Sequence, residues 1–594
     1  MLHLAASVMR CMRQDRTLST LMMSPLSFNI IRQSTQLSAA RRATVVLTQT
    51  TGVQPAADND QQDASTRRVI ETPGCLMYSV KGSVPHLTPD TLRLQGFGGV
   101  HVSIEHILQE HQPAGLEKWP FSLPKFLNLQ DLIVFCDIRD PSRYHKVPFN
   151  SDRHVSMVTH QGVRQLTLEE YLKVVRAYQP DIVATFADTI SDLDQTQSGK
   201  LNGTGRGQKR VRKSVERNLK WLDQILKERQ GIDALAEDRA LEEARKKIKS
   251  DSSLSSKGCA DSKENLKGAM DQMTQDTQRL DLSPARKPWR GVSVFAHVVG
   301  AQLEQERIRS AQETAKREGV DGFIIDMKTV PGSRDEVFRS LKASVDHLPA
   351  EKPRLVYGMQ TPEDVLRSIA LGADLFDTSY SSYLTEDGKA SLFSFGPSAT
   401  MAPTNSNTGL TTSRWINLWD EEHADKFVPL QEGCECYACK GGRHTRAYIN
   451  HLLKAHEMLA TVLLMSHNMH QYSQFFAEVR QSIQDGTFEQ QSALFVERFG
   501  AEPEHTGGLH AAQAVVEASL SKWNRLDGDE SEREAAAEAA SIAKEERLKA
   551  KELRRRERRE KNRAEGLQKK ANKMESLRKQ LETEHSEEKE PTMP

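Results

Sequence analysis

No run of about eighteen uncharged apolar residues occurs in this 594-residue chain, which argues against a membrane-spanning helix. Net charge is also missing. The 81 lysines and arginines offset 81 aspartates and glutamates, so the total carries no message about nucleic acid. Cysteine is sparse and unevenly placed. Cys11, Cys75, Cys136 and Cys259 stand alone, and the other three of the seven fall within six residues. That is no secreted disulfide framework; it fits a reducing compartment and one metal cluster. Apolar residues make up only 37% of the chain against 27% charged, so much of the sequence is expected to lie outside any core.

Composition divides the chain. Residues 1–70 read as a leader. Its first 45 positions hold Arg10, Arg13, Arg16, Arg32, Arg41 and Arg42 against the single acid Asp15, as a transit peptide or a disordered extension would. Residues 46–70 are polar and turn-rich. Ordered sequence is expected from Pro73-Gly74-Cys75, with a strand over Leu76–Val80. Short apolar runs at Leu132–Phe135 and Asp181–Ala184 flank a helical pattern over Leu168–Tyr178. Residues 191–208 read as a linker, and Lys209–Arg229 as a helix with Val211, Val215, Leu219, Leu222, Ile225 and Leu226 on one stripe. Residues 245–288 read as a disordered insertion.

From 292 onward strand and helix patterns alternate: Val292–Val298, Leu303–Lys316, Gly322–Ile325, Asp335–Val345, Arg354–Gly358, Pro362–Leu371 and Asp374–Phe376. Such alternation demands parallel strands joined by crossover helices, an α/β architecture. Thr361 caps one helix, Pro362 starts it, Glu363 and Asp364 suit its positive end, and Gly372 stops it. Residues 526–594 form a charged tail, helical or disordered. Its leucine spacing is too broken for a coiled coil, and the basic run 551–559 is a weak candidate for RNA phosphates.

The clustered cysteines form Cys434-Glu435-Cys436-Tyr437-Ala438-Cys439 after Gly433. Three thiolates on a tight loop can converge on one Zn²⁺, which then needs a fourth ligand. His444, His451, His456, His467 and His470 all follow. His444 needs no further folding. His467 reaches the loop only if the helix breaks near Ala455-His456-Glu457 and doubles back, because a straight helix would carry it about 35 Å away. A site with four protein ligands has no open position, so its zinc is structural.

The cysteine loop, with Arg446–Leu453 and Leu463-Leu464-Met465-Ser466-His467-Asn468 after it, resembles the zinc subdomain of tRNA-guanine transglycosylases. The similarity extends to Gly358–Asp364 and Gly372–Asp377, and covers roughly 73–190 and 209–500. The resemblance implies a (β/α)8 TIM barrel over 71–500, carrying an inserted zinc-binding helical subdomain at about 430–485. It also implies His467 as the fourth ligand. The family exchanges a guanine in tRNA for another base through a covalent enzyme–ribose link, which needs a carboxylate nucleophile and an acid/base partner. On the resemblance, Asp377 falls at the nucleophile and Asp181 at the second aspartate.

The departures matter more. Where active members carry Pro-Thr-Arg and further basic residues after the nucleophile, residues 378–387 contain no arginine. Val299 replaces a base-reading glutamine, and Asp326-Met327-Lys328 replaces the flat Gly-Gly-Leu floor. A pocket without its hydrogen-bonding groups loses its base. Both aspartates are therefore expected to be vestigial. The pattern resembles the non-catalytic members of the family, which pair as a heterodimer with a catalytic queuine tRNA-ribosyltransferase subunit and share its tRNA. The implied setting is the cytoplasm, including peripheral association with the mitochondrial outer membrane. The zinc hairpin is then expected at the interface.

Overall fold

The structure, a computed structural model, describes residues 25–34, 38–48, 67–108, 122–142, 150–159, 162–190, 205–253, 292–327, 330, 333–359, 361–396 and 413–499. Leader residues 1–24, most of the linker and insertion, and the whole tail lie outside these.

Eight parallel strands close a barrel. In chain order they are β4 (Gly74–Tyr78), β5 (Gly99–Ser103), β6 (Ile133–Asp137), β9 (Ile182–Ala184), β10 (Ser293–Val298), β11 (Gly322–Asp326), β12 (Arg354–Tyr357) and β13 (Leu375–Asp377). The strands are apolar runs because crossover elements cover one face and the barrel interior the other. Ile133, Phe135, Phe295, Ile324, Leu355 and Leu375 fill the interior. The alternate residues Val134, Cys136, Val294, Phe323, Val356 and Phe376 pack outward. A β-hairpin, β7 (His154–Thr159) and β8 (Gly162–Thr167), is inserted after β6.

The helices follow the sequence pattern closely: α1 (Leu168–Tyr178), α2 (Gly205–Ser253), α3 (Glu304–Ala315), α4 (Arg334–Val345), α5 (Pro362–Ala370) and α6 (Ser379–Glu386). Thr167 and Glu170 form a reciprocal capping box on α1. Thr361 accepts from the Asp364 N–H on α5, as its sequence predicts. Helix α2 is longer than expected at both ends. It buries Val211, Val215, Trp221, Leu222, Ile225 and Leu226 and runs through residues 245–253, the start of the stretch read as a disordered insertion.

The leader needs a larger correction. Residues 26–33 and 41–48 are not outside the fold. They form β1 (Leu26–Gln33) and β2 (Arg41–Thr48), which pair antiparallel with β3 (Arg67–Thr72). Leu26, Val45, Leu47 and Ile70 join the interior core and plug the barrel at the amino ends of its strands. Two arginines of this segment, Arg41 and Arg68, are buried. Arg41 is 2% exposed and grips Asp374 through two hydrogen bonds of 2.7 and 2.6 Å. Arg68 grips Asp181 in the same way, at 2.6 and 2.5 Å, and donates to the Leu132 carbonyl.

Asp374 opens β13 and Asp181 opens β9, four places apart in the ring of eight, so the sheet is pinned on opposite sides of the floor. Removing one member of a buried pair leaves the other charge without compensation, typically at a cost of about 3–5 kcal/mol. Asp181→Ala is therefore expected to lower unfolding stability by about that much in urea titrations. Adding Arg68→Ala should restore part of the loss. A wild-type midpoint for the single variant would refute the pin.

Candidate functional site

The cysteine loop and His467 converge. Gly433, at φ 72°, takes the left-handed turn that leads into Cys434. Beyond the loop, α7 (Arg446–Lys454) and α8 (Met458–Asp485) form a helical hairpin broken at Ala455-His456-Glu457, where His456 adopts φ 56°. The return along α8 sets His467 Nδ1 at 3.6 Å from Cys434 Sγ and 3.5 Å from both Cys436 Sγ and Cys439 Sγ. The four ligand atoms lie within 4.8 Å of one another, a group that can hold a metal ion. His444 lies apart from it, stacked on Tyr448.

Surrounding contacts orient the donors. His467 Nε2 is 2.9 Å from the Ser391 carbonyl, an acceptor only. Nε2 therefore carries the hydrogen, and Nδ1 turns its lone pair toward the sulfurs. Gln471 Nε2 donates to Cys434 Sγ at 3.3 Å, and the Cys439 N–H donates to Cys436 Sγ at 3.3 Å. Three thiols this close cannot ionise equally by themselves. Hydrogen bonds from Cys436 and Cys439 hold the Cys434 thiol far down, while the same contacts push Cys436 far up. A dication would remove that conflict. Asn468, beside the ligand, spends its whole amide on β14 (Lys389–Ser391) and α6. Its oxygen accepts from Ser391, and its nitrogen donates to Thr385 Oγ1 and the Lys389 carbonyl. Strand β14 pairs with β15 (Trp415–Asn417), so the metal hairpin is tied to the barrel through this short ribbon.

At the barrel mouth the two aspartates singled out by resemblance part company. Asp377 ends β13 at the carboxyl face, where Oδ1 accepts the Ser379 N–H at 2.9 Å and starts α6. Asp181 does not reach the mouth, because it precedes its strand and lies at the floor. The second carboxylate at the mouth is Asp137, the last residue of β6. The signal was in the sequence: Ile133–Asp137 is an apolar run ending in an acid, as Leu375–Asp377 is, whereas Asp181 begins its run.

Asp137 is 4% exposed. It accepts the Ile138 N–H at 2.6 Å and the Tyr357 hydroxyl at 3.1 Å, with His297 Nε2 at 3.8 Å and His101 Nε2 at 4.0 Å. Burial pushes its carboxyl up, but the nearby His101 and His297 outweigh this and bring it down to about 2. Asp137, Thr185, His297, Asp326 and Tyr357 line a pocket with about 20 Å³ of room for the centre of a water-sized sphere. That holds about one water and falls far short of a purine. Val299 is buried, its N–H donating to Ser310 Oγ at 3.1 Å. Asp326 fills the pocket wall as expected, but Met327 packs into the outer core instead, and Lys328 lies outside the described residues. Thr378 and Tyr383 anchor the local chain, accepting from the Tyr78 N–H and donating to the Ser142 carbonyl.

Beside the mouth, Glu105 accepts the Asp140 N–H at 2.5 Å. Burial, more than that bond, sets its carboxyl, which is pushed up to about 7.

The chain matches the family described as Queuine tRNA-ribosyltransferase over residues 62–242 and 234–501. It belongs to that family. Proteins named queuine tRNA-ribosyltransferase accessory subunit 2 are similar to it along nearly their whole length. The protein from Xenopus tropicalis is 31% identical over 444 residues, covering 70% of this chain and 91% of its own. The human protein is 29% identical, covering 72% and 92%, and the Trichoplax adhaerens protein 28%, covering 72% and 93%.

Two outcomes follow. Gln471→Leu removes a hydrogen bond to a ligand sulfur and should weaken metal retention against a chelator by about 10–100-fold; unchanged retention would show that this bond does not tune the site. For Glu105 the native state keeps its proton to about pH 7, whereas the unfolded chain releases it near pH 4.3. Its share of the stability is complete below that lower value and is lost as pH rises toward 7. Urea titrations at pH 5 and 7.5 should therefore differ less for Glu105→Gln than for the wild type.

Proposed function

We propose that this protein is the non-catalytic subunit of a heterodimeric queuine tRNA-ribosyltransferase. It pairs with the catalytic subunit and helps position tRNA while guanine is exchanged for queuine at the wobble position. One observation carries the reading: the mouth keeps Asp377 and Asp137, but the pocket that Asp137 shares with Thr185, His297, Asp326 and Tyr357 holds about one water. A nucleophile without a substrate site has nothing to attack. The relatives' shared name, with its words "accessory subunit", supports the same conclusion.

The ion we assign to Cys434, Cys436, Cys439 and His467 is zinc. Tetrahedral Zn²⁺, with bonds of about 2.3 Å to sulfur and about 2.0–2.1 Å to nitrogen, sets those atoms about 3.55 Å apart. The separations of 3.5–3.6 Å agree. Four protein ligands leave no place for a reacting water, so the metal would brace the hairpin. That hairpin carries the apolar surface expected of an interface. Tyr437 lies inside the cysteine loop and is 45% exposed, with Tyr448 at 39% and Phe427 at 79%. His444 lies between the two tyrosine rings. Exposed aromatic clusters of this kind mark protein contacts. No helix among the described residues is long and apolar enough to cross a membrane.

Reconstitution tests the reading. Base exchange is expected from the mixture with the catalytic subunit, not from this chain alone, and should survive Asp377→Ala. Tyr437→Ala with Tyr448→Ala should weaken pairing at least tenfold by sedimentation. Turnover by the isolated chain, abolished by Asp377→Ala, would replace this reading with an autonomous exchange enzyme.

A further inference from the structure

Helix α2 has a face that the proposed function has not used. Its inner stripe packs on the barrel, while Lys209, Arg212, Lys213, Lys220 and Lys227 point outward and are exposed. Lys209, Lys213, Lys220 and Lys227 recur at intervals of four and seven, which places them along one side of the helix. At 1.5 Å per residue, the row from 209 to 227 is about 27 Å long.

The acids nearby do not cancel it. Asp223 is held by Arg317 at 2.6 Å, and Asp152 by Arg217 at 2.9 Å. Among the described residues Arg212 pairs only with Glu306, at 3.6 Å, and Lys213 only with Asp152, at 3.9 Å; both basic side chains are more than half exposed. Glu216 is the one acid on this side between Lys209 and Lys220. Lys209, Lys220 and Lys227 have no ion-pair partner among the described residues.

The row also has a defined position. Asp188 is fully buried, and Arg210 and Arg217 of the same helix pair with it, joined by Ser214 and Asn218. Its chain neighbours Ala187 and Thr189 line the pocket at the barrel mouth. The network fixes the start of α2 to the rim of the carboxyl face and spends the two inward arginines on an internal carboxylate. The outward lysines are left for something outside.

We propose that this row is a binding strip for the phosphate backbone of tRNA. The inference rests on the reading above, in which the protein works on tRNA beside a catalytic subunit. Compact ammonium charges, evenly spaced and without aromatic residues between them, suit phosphates rather than bases. The strip would hold the RNA without reading its sequence. It supplies from this subunit the kind of contact that residues 378–387, which contain no arginine, do not.

The test is the triple variant Lys209→Gln, Lys213→Gln, Lys220→Gln, beside a control that removes the same charge from α1, the C-cap of α3 and α4 (Lys173→Gln, Lys316→Gln, Lys342→Gln). Binding of an unmodified tRNA transcript is followed by fluorescence anisotropy across a salt series. Both the isolated chain and its complex with the catalytic subunit are measured. The strip variant should bind at least tenfold more weakly at moderate salt. Its slope of log affinity against log salt should be shallower by about 2–3, since each phosphate contact contributes about 0.7–0.9. The control should match the wild type.

Wild-type affinity and slope for the strip variant would overturn the strip while leaving the accessory reading intact, provided exchange still requires this chain. If exchange proceeds equally without this chain, the accessory reading fails and the isolated-chain titration alone decides the strip. Loss of pairing with the catalytic subunit at unchanged tRNA affinity would make the row a protein contact and refute the RNA assignment.

Discussion

Two buried arginine–aspartate pairs hold the floor of this barrel, and the rest of the architecture depends on them. A closed ring of parallel strands satisfies its own backbone but exposes apolar side chains at the ends. Here the amino ends are sealed by β1–β3, whose Val45, Leu47 and Ile70 complete the interior core. Apolar contact sets no register. The bidentate pairs Arg41–Asp374 and Arg68–Asp181 do, because two charges nearly free of solvent tolerate little displacement. Asp374 also accepts the Arg354 N–H, and Asp181 the Val134 N–H, so each carboxylate joins the plug to a neighbouring strand.

At the opposite end, the carboxyl mouth keeps two carboxylates. Asp137 and Asp377 still end their strands. Yet Asp137 is enclosed by Tyr357, His101 and His297, and Asp377 is engaged with the first turn of α6. The metal hairpin, by contrast, is intact down to the partners of its ligands. His467 and Asn468 are adjacent on α8 and divide the work: one faces the sulfurs, the other fixes β14 and α6 to the helix.

Much of this was legible in the sequence. The βα alternation after 292, the capped helix at Thr361, the break at His456 and the cysteine loop all depend on local rules: periodicity, φ preference and ligand spacing. Three things were not legible. Strands β1 and β2 were hidden because buried arginines resemble a targeting composition until their aspartates, more than a hundred residues away, are in place. Helix α2 continued past its apolar stripe and through Gly231, which weakens a helix without ending it. Asp181 was placed in the wrong role because a motif match ignores which end of the strand an acid occupies.

The sequence by itself determined the class of fold and, once the family was recognised, the four residues that come together as a group able to hold a metal ion. Those are properties of residue type and spacing, carried by segments whose chemistry is local. Only the tertiary structure decided which carboxylates end their strands at the mouth, how small the pocket beside Asp137 is, and that the amino-terminal strands close the floor. Those depend on strand direction and on charge pairs far apart in sequence, since a barrel brings strand ends together by closure rather than by proximity along the chain.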